Sequence, residues 1–333
     1  MYWYKYLGAD NLNQDDTINL MSSEYILKNR ILRQIGSYSQ TQSQTSDTFG
    51  YKWKKRDTYD SNNVHDHSRN WLKERYLGGE VNSDLLGSWM HDGARFLDAG
   101  CGAGFSALLL FEEYINKVNY LGVDISNAVE IALKRFNEVK IKGEFLQTEL
   151  MNLPFSGPTF DIIFSEGVLH HTDSTEKTFR YLADLLMPKG KFMFYVYRKK
   201  GPIREYSDDF IRNHLKDMDN DQIWKELLPL TKLGKVLGDM NMKVNVPEKI
   251  PFLEIPEGPI DLQRLFYWYI FKAFYRPEWA LEEMNHVNFD WYSPANCHRH
   301  TPEEIREWCS VSNLEIIRME IQDSGITVIA QKQ

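Results

Sequence analysis

Two carboxylates and a glycine-rich loop stand out as residues whose types and spacing could grip a ligand. Phe96-Leu97-Asp98-Ala99 is an apolar run carrying one acid, and Gly100-Cys101-Gly102-Ala103-Gly104 follows it directly. Alternate glycines let the backbone turn sharply and approach a ligand without a Cβ in the way. Twenty residues after Gly104, a second apolar run, Tyr120-Leu121-Gly122-Val123, ends in Asp124. An acid at the tip of the neighbouring strand can accept hydrogen bonds from both hydroxyls of a ribose. The pair therefore points to an adenosine-containing cofactor.

A second group of residues could move protons. His170 and His171 follow the apolar run Phe160 to Phe164, and histidine titrates near neutrality. A third group is Tyr292, Cys297, His298 and His300, just before the helix start Thr301-Pro302-Glu303-Glu304. Tyr292, His298 and His300 could meet a substrate; Cys297 with the two histidines lacks a fourth ligand at metal spacing, so no metal is expected. The run Tyr197-Arg198-Lys199-Lys200-Gly201-Pro202-Ile203-Arg204 is basic, with Arg198 first, and could hold an anionic group of a substrate.

The elements that must position these residues alternate strand and helix, which argues a parallel sheet covered on both faces. Strands are expected near 95–99, 119–123, 143–147, 160–165 and 190–197. A helix over Phe105 to Ile115 would follow the glycine loop, and one beginning after Ser126 would be capped by Asn127 and Glu130. Two last strands, Leu314 to Ile321 and Gly325 to Gln331, make an antiparallel hairpin.

The order Asp98-x-Gly100-x-Gly102-x-Gly104, then Asp124, then Glu149-Leu150-Met151-Asn152-Leu153-Pro154-Phe155, then Phe160-Asp161-Ile162-Ile163-Phe164-Ser165-Glu166-Gly167-Val168-Leu169-His170-His171, resembles the class I S-adenosylmethionine-dependent methyltransferases of the small-molecule branch. The resemblance covers residues 95 to 198. It implies an α/β, Rossmann-like, seven-stranded sheet, mostly parallel with a C-terminal antiparallel hairpin. It implies S-adenosyl-L-methionine as cofactor, held by Asp98, Gly100, Cys101, Gly102, Gly104, Asp124, Ile125, Glu149, Leu150 and Ser165. Glu149 stands where the family has an aspartate. The loop amides would hold the methionine carboxylate. His171, with His170 second, would be the base for transfer to oxygen. The Phe49-Gly50-Tyr51-Lys52-Trp53 segment is similar to one that closes over the site in related enzymes. A hydride-transferring NAD enzyme and a non-catalytic cofactor-binding protein are the rival readings.

The remaining chain divides into an extension or lid over 1–94, the core over 95–198, a mostly helical inserted cap over 199–300, and a last helix with hairpin over 301–333. Within the extension, Ile26 to Ile35 reads as a helix and Ser37 to Thr48 as a polar loop. Within the cap, the aromatic run Leu265 to Tyr275 could be cap core, pocket wall or a homodimer contact. At 333 residues the chain can bury a large core. Its net charge of −8, from 39 basic and 47 acidic side chains, disfavours a nucleic-acid surface. The expected partner is a small-molecule acceptor, with no nucleic acid and no membrane. Three scattered cysteines, no apolar run long enough to span a bilayer and no signal stretch suit the cytoplasm.

Overall fold

The computed structural model describes residues 2–78, 83–112 and 114–333, without the side chains of residues 83 and 84. A short helix α1 (Trp3–Tyr6) precedes β1 (Thr17–Leu20), β2 (Ser23–Lys28) and β3 (Ile31–Ile35). Then come α2 (Gln40–Lys54), α3 (Asn62–Leu77) and α4 (Ser83–Trp89). The core runs β4 (Arg95–Ala99), α5 (Phe105–Phe111), β5 (Asn119–Asp124), α6 (Ala128–Glu138), β6 (Glu144–Gln147), β7 (Phe160–Glu166), α7 (Thr175–Asp184) and β8 (Leu186–Tyr197). The cap follows with α8 (Pro202–Leu215), α9 (Asn220–Asp239), β9 (Lys243–Val246), β10 (Gly258–Asp261), α10 (Leu262–Tyr269) and α11 (Leu281–Tyr292). The chain ends in α12 (Pro302–Val311), β11 (Leu314–Ile321) and β12 (Gly325–Lys332).

One sheet of ten strands carries the fold, in the order β1-β2-β3-β6-β5-β4-β7-β8-β12-β11. The block from β3 to β8 is parallel. The hairpin β11–β12 adds antiparallel to β8. The strands β4, β5 and β7 are almost wholly buried, as expected where helices cover both faces. The expected mostly parallel sheet with its terminal hairpin is present, and three further strands extend it at the β6 edge.

Two of those strands, β2 and β3, correct the helix expected over Ile26 to Ile35. Asn29 and Arg30 both take positive φ, 53° and 64°, which is the backbone of a two-residue hairpin turn. Tyr25, Ile31 and Leu32 then point into the core. The polar loop expected over Ser37 to Thr48 is likewise replaced by α2, started by Ser39, whose Oγ accepts from the Gln42 amide. Its buried face is polar (Gln42, Thr45, Thr48), so no apolar period marks it. Nor does Asn127 cap α6 with its side chain. Its Oδ1 instead accepts from Arg33 and Gln147, tying the extra strands to the core. Helix α5 stops at Phe111, before the expected Ile115, and Glu113 lies outside the described residues.

Candidate functional site

A cavity of about 720 Å³ opens where β4, β5 and β7 end, under α2 and the cap. This is the crevice at the carboxyl ends of the strands, where open α/β sheets take their ligands. Asp98, Gly100, Cys101, Gly102, Asp124, Ile125, Leu150 and His171 all line it.

The glycine loop is held mostly by itself. The amides of Gly100 and Cys101 both donate to the Val123 carbonyl, and the Gly104 amide to the Cys101 carbonyl. The Gly102 amide donates to Asp124 Oδ2 at 2.8 Å. The expected use of these amides on a ligand carboxylate therefore does not hold for these four, because each is already spent. Gly102, at φ 50°, packs so closely that a Cβ there would meet the Trp53 ring at 2.8 Å. Gly104 has a different reason: a Cβ would strike Phe136, so it serves helix packing and does not line the cavity.

Asp98 is 3% exposed and accepts from the Tyr120 hydroxyl at 2.6 Å through Oδ2. Its Oδ1 makes no hydrogen bond among the described residues. Burial lifts its pKa to about 7, against the lowering effect of the Tyr120 bond. Asp124 accepts from the Gly102 amide and from both the amide and the hydroxyl of Ser126. A buried acid with one open oxygen, a second acid on the next strand, and apolar Ile125 and Leu150 in the same lining are chemically suited to the ammonium, ribose and adenine of S-adenosylmethionine.

His171 donates Nδ1–H to the Asn296 carbonyl at 2.6 Å, which is the only role a ring nitrogen can play toward a carbonyl. The neutral ring then keeps its lone pair on Nε2, which has no partner among the described residues. Burial pulls its pKa down to about 4, against the upward pull of that carbonyl and of Asp290. Phe49 of α2 lies 5.1 Å from the ring, and Gln42 Nε2 donates to the His171 carbonyl.

The other expected site residues lie off the cavity. His170 sits behind His171, its ring stacked 3.7 Å from that of Tyr197, with both nitrogens buried and unpartnered. Ser165 donates to the Ala99 carbonyl and so ties β7 to β4. Glu149 flanks Leu150, and its carboxylate accepts weakly from Asn152. Tyr292 is 1% exposed; its hydroxyl donates to Asp208 and accepts from the Lys272 amide. His298 bonds the Thr172 carbonyl, and His300 packs on Trp308. Arg198 pairs with Asp323 at 3.7 Å. Of these, His298 docks the cap on the core, Tyr292 is bonded within the cap, and Ser165 and Glu149 are bonded within the core.

The lid and cap complete the lining: the segment around Lys52 and Trp53 was expected to close over the site and the aromatic run was one candidate pocket wall, whereas Trp71 and Asp290 were not singled out. Lys52 and Trp53 of α2, Trp71 of α3, and Tyr267, Trp268, Lys272, Phe274 and Asp290 of the cap line the same cavity. The aromatic run is thus both cap core and cavity wall. Glu166, also in the lining, is buried against Arg75 and the Tyr76 hydroxyl. Arg75 itself is fully buried, stacked 3.6 Å from Trp71 and 4.3 Å from Tyr195.

Residues 97–194 match the family model described as a methyltransferase domain. The chain is 33% identical over 120 residues to phosphoethanolamine N-methyltransferase 2 of Caenorhabditis elegans, covering 35% of this chain and 26% of that one. It is 34% identical over 124 residues to the uncharacterized methyltransferase YcgJ of Bacillus subtilis, covering 36% and 46%. Among solved structures, magnesium protoporphyrin IX methyltransferase from Synechocystis PCC 6803 with bound S-adenosylmethionine superposes at a TM-score of 0.45 with 13% identity, covering 90% of this chain and all of that one. The chain spans only about a quarter to under half of the length of these two curated relatives. The domain match makes residues 97–194 a methyltransferase domain, with S-adenosylmethionine as its cofactor, and the sheet has the strand arrangement that the class I resemblance implies. Among the described residues no helix is long and apolar enough to cross a membrane, and no cluster has the makings of a metal site.

Proposed function

We propose that the chain methylates an oxygen of a small-molecule acceptor, with His171 as the base. S-adenosylmethionine, when bound, supplies an electrophilic methyl. Asp98 would hold its ammonium, Asp124 its ribose, and Ile125 and Leu150 its adenine. In-line displacement asks the protein chiefly for positioning, and a hydroxyl nucleophile also asks for a proton acceptor. The observation that carries the reading is the His171–Asn296 bond. It sets the tautomer whose Nε2 is unprotonated, in a ring that lines the same cavity as the two acids. The low pKa keeps that ring neutral at physiological pH. Lys52, Trp53 and Phe49 would shield the site from water, and the cap would choose the acceptor.

Calorimetry with S-adenosylhomocysteine and with NAD tests the cofactor assignment: heat is expected from the first alone. His171→Ala should bind S-adenosylhomocysteine as the wild type does while turnover falls ~10²–10⁴-fold. Full turnover in that variant would remove His171 as base.

A further inference from the structure

The cavity has two electrically different ends. Its core end carries Asp98 and Asp124. Its cap end carries five cations, Lys200, Arg204, Arg264, Lys272 and Arg276, with the acids Glu283 and Asp290, and the cations differ in whether a partner already satisfies them. Arg204 is spent: its Nε reaches both carboxylate oxygens of Asp208 at 2.9 Å, and it also bonds the Tyr267 carbonyl. Lys200 is spent on the carbonyls of Arg198, Asp323 and Ser324. Arg198, Lys200 and Arg204 of the basic run that looked suited to an anion are therefore already satisfied internally.

Lys272 is different. It is 7% exposed and lines the cavity, yet its ammonium makes no ion pair and no hydrogen bond among the described residues. It lies 4.4 Å over the Trp291 ring, and its backbone is pinned by the Tyr292 hydroxyl. Burial pulls its pKa down to about 7, against the upward pull of Asp290 and Asp208, which are themselves paired with Lys52 and Arg204. Arg264 and Arg276, in the same lining, also make no ion pair. The side chain of Arg264 bonds only the Tyr275 carbonyl, at 3.4 Å, and Nε of Arg276 is buried without a partner. Lys272 is buried and the two arginines half-buried, and a buried cation is costly unless an anion joins it.

We propose that Lys272, with Arg264 and Arg276, forms an anion subsite in the cap that holds a carboxylate or phosphate of the acceptor. This rests on reading the cavity as the methyl-transfer site. It names the acceptor class: a small molecule bearing an anionic group at one end and the methylated atom at the other. The acidic end repels such an anion and the basic end attracts it, so the acceptor enters in one orientation.

The test is calorimetry on the full chain saturated with S-adenosylhomocysteine, titrated with inorganic phosphate and with malonate, against potassium chloride at equal ionic strength. One or both anions should bind, and the one that binds identifies the head group. Lys272→Met should weaken that binding about tenfold or more, Lys272→Arg should largely keep it, and neither should shift S-adenosylhomocysteine affinity more than about twofold. Arg264→Gln with Arg276→Gln gives a second reading should the lysine variant fold poorly. Wild-type anion affinity in the folded variants, or no anion binding by the loaded chain, overturns the subsite. Failure of S-adenosylhomocysteine itself to bind would overturn the functional reading instead.

Discussion

Lys52 of α2 and Asp290 of α11 are ion-paired at 2.5 Å, and that contact joins the lid to the cap directly over the cavity. Lys52 also lies 4.2 Å over the ring of its neighbour Trp53. Burial would raise the Asp290 pKa, but the Lys52 ammonium outweighs it and holds the carboxyl at about 2. The Asp290 side of the latch is therefore ionised at neutral pH.

Breaking this latch should loosen the lid without unfolding the core. Lys52→Met leaves a mostly buried carboxylate unpaired, so a loss of about 1–3 kcal/mol is expected in urea unfolding. Dissociation of S-adenosylhomocysteine, followed by tryptophan fluorescence in stopped flow, should speed up by about tenfold. An unchanged dissociation rate would show that α2 does not gate the cofactor.

Asp98 makes cofactor binding depend on pH. Its folded pKa of about 7 lies above the ordinary 3.8, so the cofactor-free native chain keeps a proton there that the unfolded chain has released. This group's share of stability is thus present below that window and declines as pH rises through it. An incoming ammonium must displace the proton. Affinity for S-adenosylhomocysteine should fall about tenfold per pH unit below ~7, with proton release visible as a buffer-dependent heat. Asp98→Asn should flatten the profile, separating it from the nearby Lys200 and Lys272, which burial also brings to about 7. A wild-type affinity constant from pH 5 to 7.5 would refute the assignment.

Arg75 and Glu166 form a buried pair on the cavity wall, side chains 0% and 9% exposed. Arg75→Leu strands a carboxylate in the interior and should cost ~3–5 kcal/mol. Adding Glu166→Gln should recover much of that loss, since the stranded charge is gone. Thermal unfolding of the two variants measures both effects; no recovery in the double variant would show that packing of Arg75 between Trp71 and Tyr195 is what matters.

The local chemistry of the core was legible because it lies in short contiguous runs. A buried strand reads as an apolar run, and Asp98, the glycines and Asp124 fall at the strand ends that the βαβ order brings side by side. The capping box at Thr301 and Glu304 was equally plain, being a matter of four adjacent residues. The added strands β1–β3 were not, since a short run such as Ser23 to Lys28 mixes polar and apolar residues with no clean period of two or 3.6.

By itself, the order of residues determined the parallel core, its terminal hairpin and the loop between the two acids, because each follows from pattern and turn chemistry a few residues apart. Only the tertiary structure decided which charges are free. Arg198, Arg204 and Tyr292 looked available and are consumed by Asp323, by the Tyr267 carbonyl and by Asp208, and the loop amides are folded back on Val123, Cys101 and Asp124. Lys272, inside a run that read as cap core, pocket wall or dimer contact, makes no ion pair or hydrogen bond with its ammonium among the described residues and lies over the Trp291 ring. Whether a polar group is satisfied depends on contacts between distant segments, and local spacing carries no record of those.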